Sequence, residues 1–132
     1  MTTSASSGIV SIRSPHPFAE TVQRLLSAFA NHGLKVFATI DQRAEAAAVD
    51  LTMPPTTLVI FGNPKAGTPL MLEQPLSALD LPLKALVTEA TPGEVIVSFN
   101  AAAYILQRHS LSADLSNNLA PAERLIAGAV TS

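Results

Sequence analysis

The segment Thr56–Phe61 (TTLVIF) is unbroken, β-branched and apolar, and Gly62-Asn63-Pro64 closes it abruptly. A run of this kind predicts a central strand buried on both faces. Pro64 suits a first helical turn, where its missing N–H costs nothing, and a short helix is expected around Pro69–Gln74. A strand committed in this way needs a sheet around it, so the rest of the chain must supply partner strands and covering helices.

The flanking segments do so. Ile9, Val10 and Ile12 suggest a first strand ending near Arg13. Ser14-Pro15-His16-Pro17 is a break that starts a helix, with Ser14 or His16 near its cap. Phe18, Val22, Leu25, Leu26 and Phe29 share one face of that helix, and Asn31-His32-Gly33 ends it. Leu34–Ile40 reads as a strand. Asp41 is placed to cap a short Ala-rich helix reaching Val49, and Pro54-Pro55 breaks the chain. Leu83–Glu89 and Glu94–Phe99 are two strands joined by a Thr91-Pro92-Gly93 hairpin. Asn100 is placed to cap a helix bearing Tyr104, Ile105 and Arg108, and a last helix runs from about Asn118 to Val130. The pattern is an α+β, two-layer fold, with a mixed, mainly antiparallel sheet of about five strands and helices packed on one face. Residues 1–7 are expected to fray, leaving a single domain over 8–132.

Composition narrows the partners. Of 132 residues, 48% are hydrophobic and only 14% charged, against about 25% charged in typical soluble domains. So few charges suggest that part of the surface is covered, most simply by a second copy in a homodimer. The net charge of −2 arises from 10 acidic and 8 basic residues. The basic residues are scattered, which argues against nucleic acid. The absence of cysteine removes thiolate and disulfide chemistry. MTTSASSG lacks the character of a signal peptide, and no apolar run reaches the length of a membrane span. A cytoplasmic, non-membrane protein is the expectation.

The sharpest local feature is Gly62–Thr68, which follows the strand and opens a helix. Ligands of open α/β sheets gather beyond strand ends, and helix N-termini offer free N–H groups to anions. Asn63, Lys65, Gly67 and Thr68 would then bind a small anionic ligand such as a carboxylate or phosphate. The spacing matches neither a P-loop nor G-x-G-x-x-G, and a purely structural turn explains the same residues. His109, near a predicted helix end, is the candidate ligand for haem or a metal; a helix dipole favours a cation there equally well. His16 and His32 have blander explanations still, and the three histidines lack zinc-site spacing. Asp80 and Lys84 stand among apolar residues and would form an acid–base couple if both turned inward; strand alternation and a turn cap are the plainer account. No G-x-S-x-G is present, and no catalytic motif identifies an enzyme.

Three stretches carry a family likeness: TTLVIFGNPKAGTPLM (56–71), ALDLPLKALV (78–87) and, more weakly, GLKVFATID (33–41) with AYILQRH (103–109). They resemble the bacterial family known as domain of unknown function 302, over nearly the whole chain. The resemblance implies a compact α/β fold that forms dimers, and implies no established activity or cofactor. Members of that family often carry a histidine directly after the aspartate that ends the second strand. Here Asp41 is followed by Gln42, so no role of that histidine transfers. The leading expectation is therefore a small-ligand-binding or structural homodimer with its polar turn at 62–68. A haem or metal carrier using His109, an enzyme using Asp80 and Lys84, and a protein-interaction module stand as alternatives.

Overall fold

A computed structural model describes residues 2–4 and 7–132. The strands are β1 (Thr2–Ser4), β2 (Ile9–Ser14), β3 (Lys35–Asp41), β4 (Thr56–Gly62), β5 (Leu83–Thr91) and β6 (Glu94–Asn100). The helices are α1 (Phe18–Asn31), α2 (Gln42–Ala47), α3 (Pro64–Glu73), α4 (Ala102–Arg108) and α5 (Ser116–Thr131), with a 3-10 turn over Pro75–Asp80. The strands form one sheet in the order β1-β2-β6-β5-β4-β3. Every ladder is antiparallel, so the α+β class holds while the expected parallel component of the sheet is absent among the described residues. Part of the segment expected to fray takes strand form, with Thr2–Ser4 pairing Ile12–Val10. Met1, Ala5 and Ser6 lie outside the described residues.

Local signals account for most boundaries. The Asp41 side chain accepts the Ala44 N–H at 2.9 Å and caps α2. Pro92-Gly93 turns β5 into β6, with Gly93 at φ +85°. Two expected caps differ. α1 begins after Pro17 without a side-chain cap, and Ser14 instead accepts the His16 N–H. α4 begins after Ala101, and its Ala102 N–H is taken by Glu123 of α5 rather than by Asn100. A carboxylate from another helix satisfies that orphan donor, a contact with no local signature.

α1 and α5 cover one sheet face. Val22, Leu25 and Phe29 of α1 and Ile126 and Val130 of α5 form a core with Ile12, Val59, Phe61, Val87 and Val97. The Phe29 and Phe61 rings stack with centroids 3.9 Å apart. Burying each such side chain contributes about 1.5–3 kcal/mol. A second cluster joins Leu70, Ala102, Ile105, Leu111 and Leu119, packing α3 and α4 against the start of α5.

The expectation of two-sided burial for Thr56–Phe61 is overturned. β4 is next to the sheet edge, and its burial alternates: Thr57, Val59 and Phe61 are buried, whereas Thr56, Leu58 and Ile60 are only partly covered. α1 and α5 lie on the side of Val59 and Phe61. On the other side, Leu58 and Ile60 belong to neither core cluster among the described residues.

Candidate functional site

The end of β4 delivers the chain to the helix-covered side. Asn63 has extended backbone, and its Oδ1 accepts the Lys65 N–H at 2.9 Å. Its carbonyl accepts both the Ala66 and Gly67 N–H groups at 2.9 Å. Pro64 occupies the first turn, as its fixed φ allows. α3 therefore starts directly at the turn and earlier than the sequence suggested, with Pro69 inside it.

α5 approaches the same place with its own first turn. Asn118 donates from Nδ2 to the Ala66 carbonyl at 2.9 Å, tying the two helix starts together. Between them, and over the ends of β4 and β5, lies a cleft of about 590 Å³. Its floor is apolar, with Phe61, Leu83, Leu119 and Leu125 among its residues. Phe37, 44% exposed at an irregularity of β3, stands at its open side. Its polar groups are the side chains of Asn63, Thr68, Asn117, Asn118 and His32, and no Asp, Glu, Lys or Arg lines it among the described residues.

The expected site residues separate at this point. Asn63, Gly67 and Thr68 line the cleft, whereas Lys65 is exposed and outside the lining. Two of the polar amides already have partners: Asn63 Oδ1 and Asn118 Nδ2 are engaged with backbone. Asn63 Nδ2 and the Thr68 hydroxyl remain as donors, and Asn118 Oδ1 as an acceptor. The cleft thus offers hydrogen bonds of both senses without a carboxylate, lysine or arginine among the described residues. Asn117 and Asn118 were readable in sequence only as the approach to a last helix; their convergence on 62–68 is a tertiary contact.

The other candidates are placed differently. The Asp80 carboxylate bonds His109 Nε2 at 2.5 Å, and Arg108 Nη1 reaches both its oxygens at 3.0 and 3.1 Å. The His109 side chain is 7% exposed and that of Asp80 11%. This cluster fastens the 3-10 turn to the end of α4, and it occupies the imidazole nitrogen that a haem iron or metal would compete for. Lys84 does not pair with Asp80; its Nζ is 3.5 Å from the Pro82 carbonyl. Both residues border a void of about 20 Å³, room for about one water molecule and no organic substrate. His16 bonds the Ser132 carbonyl and Glu20, and His32 bonds the Ala28 carbonyl at the end of α1. No group of three or more His, Asp or Glu suited to a metal occurs among the described residues.

Comparison with known proteins places the fold in context. The family model described as "Domain of unknown function DUF302" matches residues 10–130. The crystal structure of an uncharacterized conserved DUF302 protein from Bacillus stearothermophilus superposes with a TM-score of 0.78 at 17% identity, covering 93% of this chain and 95% of that one. That likeness speaks for the fold. Curated relatives named fluoride-specific ion channel FluC 1, from Brucella suis and Brucella abortus, are each 42% identical over 114 residues. The match takes in 86% of this chain but only 44% and 42% of those proteins, so the chain spans less than half of their length. No helix among the described residues is long and apolar enough to cross a membrane.

Proposed function

Because this chain belongs to the family described as Domain of unknown function DUF302, which prescribes no activity, we propose from its geometry that it is a small-ligand-binding domain whose site is the cleft between the starts of α3 and α5. The observation that carries this reading is the cleft itself. Its volume of about 590 Å³ falls in the roughly 300–1,000 Å³ range of small-molecule sites, which are mostly apolar with a few placed polar groups. A lining without Asp, Glu, Lys or Arg among the described residues favours a neutral ligand over the anion that Lys65 suggests in sequence. An apolar or aromatic body would rest on Phe61, Leu119 and Leu125, and a neutral head with both donor and acceptor would meet Thr68, Asn63 and Asn118. The site binds and orients; His32, the titratable side chain in its lining, is tied to the Ala28 carbonyl at the end of α1.

The test is protein-observed NMR with benzamide and its charged isostere benzoate. Benzamide should shift the side-chain amide signals of Asn63 and Asn118, and a Gly67→Trp variant, which fills the cleft, should abolish the shifts. No response to benzamide or other neutral aromatic amides would sink the reading. A response to benzoate alone, lost in Lys65→Ala, would return the site to anions.

A second reading rests on the relatives named as fluoride channels. In this reading the chain works beside such a channel as a module outside the bilayer, and occupancy of the cleft is the signal it passes on. Fluoride efflux from proteoliposomes holding a matched channel should change when this chain is added. Efflux rates unaltered across the ligand range would remove that reading and leave the cleft untouched.

A further inference from the structure

We propose that the sheet face turned away from α1 and α5 is the contact between two copies of this chain, stacked face to face. The register maps that face row by row. One row runs Ile40, Leu58, Leu86, Ser98 and Ser11 across β3, β4, β5, β6 and β2. The row on one side holds Ala38, Ile60 and Lys84, and the row on the other holds Thr56, Thr88, Ile96 and Arg13. The middle is Leu58, Leu86, Ile60 and Ile96. None of these four belongs to either core cluster or to the side chains packed against one.

An antiparallel sheet with one solvated face normally alternates apolar-in with polar-out. Here the outward positions of β4 are Leu58 and Ile60, which is why its sequence reads as buried on both sides. That sequence signal is satisfied only if a second layer covers the face. Its charged groups border that middle: Arg13, opposite Ile96, pairs with Glu94, and Lys84, opposite Ile60, reaches back toward the Pro82 carbonyl. An apolar middle with polar surroundings is the anatomy of a protein interface. With Arg13 paired to Glu94 and Lys84 the one other charge on these rows, the patch carries little net field and suits its own copy, because a two-fold contact requires one surface to complement itself.

The extent is also sufficient. Five strands about 4.8 Å apart and about 20 Å long give roughly 500 Å² per copy. Two copies then bury about 1,000 Å², the lower bound for a specific interface. Sheets stacked in this way sit about 10 Å apart with interdigitating side chains. The dimer should therefore be reversible, and should dissociate on dilution.

The experiment is sedimentation velocity on the full chain, from low to high micromolar concentration, with wild type and Leu86→Glu. Wild type should approach twice the 13.8 kDa chain mass as concentration rises. Leu86→Glu should stay monomeric with an unchanged circular dichroism spectrum, its dissociation constant raised at least about 100-fold by the buried, unpaired carboxylate. If Leu86→Glu fails to fold, Leu86→Asn replaces it, and a smaller loss of dimer is expected. A wild-type monomer at high micromolar concentration overturns the proposal. So does a dimer that neither variant weakens, since the contact would then lie elsewhere.

Discussion

Gly67 offers a direct test of what the cleft is for. It lies inside α3 and lines the cleft, a position where glycine costs about 0.5–1 kcal/mol relative to alanine. Its backbone does not require glycine, since its φ is not in the left-handed region. A Cβ added there would meet only Leu81 Cδ1, at 4.0 Å, an ordinary contact with another wall residue. Gly67→Ala should therefore stabilise the fold by about 0.5–1 kcal/mol. With about 2.1 cal/mol/K of unfolding entropy per residue, that is a rise in Tm of about 2–4 °C for a chain of this size. The methyl group also enters the cleft, so affinity for benzamide should fall while stability climbs. Thermal melts followed by circular dichroism, beside NMR titrations, measure both. A Tm that falls would refute the helical argument. A Tm that rises with affinity unchanged would show that the ligand does not approach Gly67.

Other perturbations reach the scaffold. Gly8 has φ +85° and its carbonyl accepts the Ala101 N–H at 2.8 Å; a Cβ there would overlap the root of the Tyr104 ring. Gly8→Ala should cost about 2–4 kcal/mol through strain and displaced packing. Tyr104 is the sole tyrosine in a chain without tryptophan, so fluorescence melts read that contact directly, and an unchanged midpoint would refute it. Asp80→Ala strands His109 inside the protein without its carboxylate and should cost about 1–3 kcal/mol. Chemical denaturation measures it; a loss within error would mean that the cluster contributes nothing to fastening α4.

What the sequence disclosed was local. Helix faces such as Phe18–Phe29, the Asp41 cap and the Pro92-Gly93 turn depend on neighbours in the chain, and all appear in the fold. The strand order did not, because antiparallel pairings such as Ile12 with Val97 join residues far apart. The sequence of β4 points to two-sided burial for a physical reason. An unbroken β-branched and apolar run denotes two covered faces, yet the core helices α1 and α5 cover only one. At the site, the strand–turn–helix at 62–68 was visible, but the opposing wall from α5 was not. Lys65 stands out in sequence for its charge, yet it is exposed and lies outside the cleft lining. In sequence Asp80 and Lys84 both stand among apolar residues, which suggests a couple turned inward, whereas the fold gives Asp80 Arg108 and His109 from the end of α4.

The cleft and the open sheet face use opposite sides of the same strands, and this separates their tests. Phe61 and Leu83 turn toward the cleft, while their neighbours Ile60 and Lys84 turn to the open face. A side chain added at Leu86 therefore points away from the ligand, with the thickness of the sheet between them. Effects at sites without shared partners add to within about 0.3–0.5 kcal/mol. Leu86→Glu should accordingly leave the benzamide dissociation constant within about twofold of wild type, although it abolishes the dimer. Gly67→Trp should do the converse, removing ligand and leaving the mass at high concentration unchanged. Titrations of each variant by NMR, paired with sedimentation, decide the matter. If Leu86→Glu weakened the ligand tenfold, the strands would be transmitting a change through the sheet, and binding and assembly would be one coupled equilibrium rather than two independent ones.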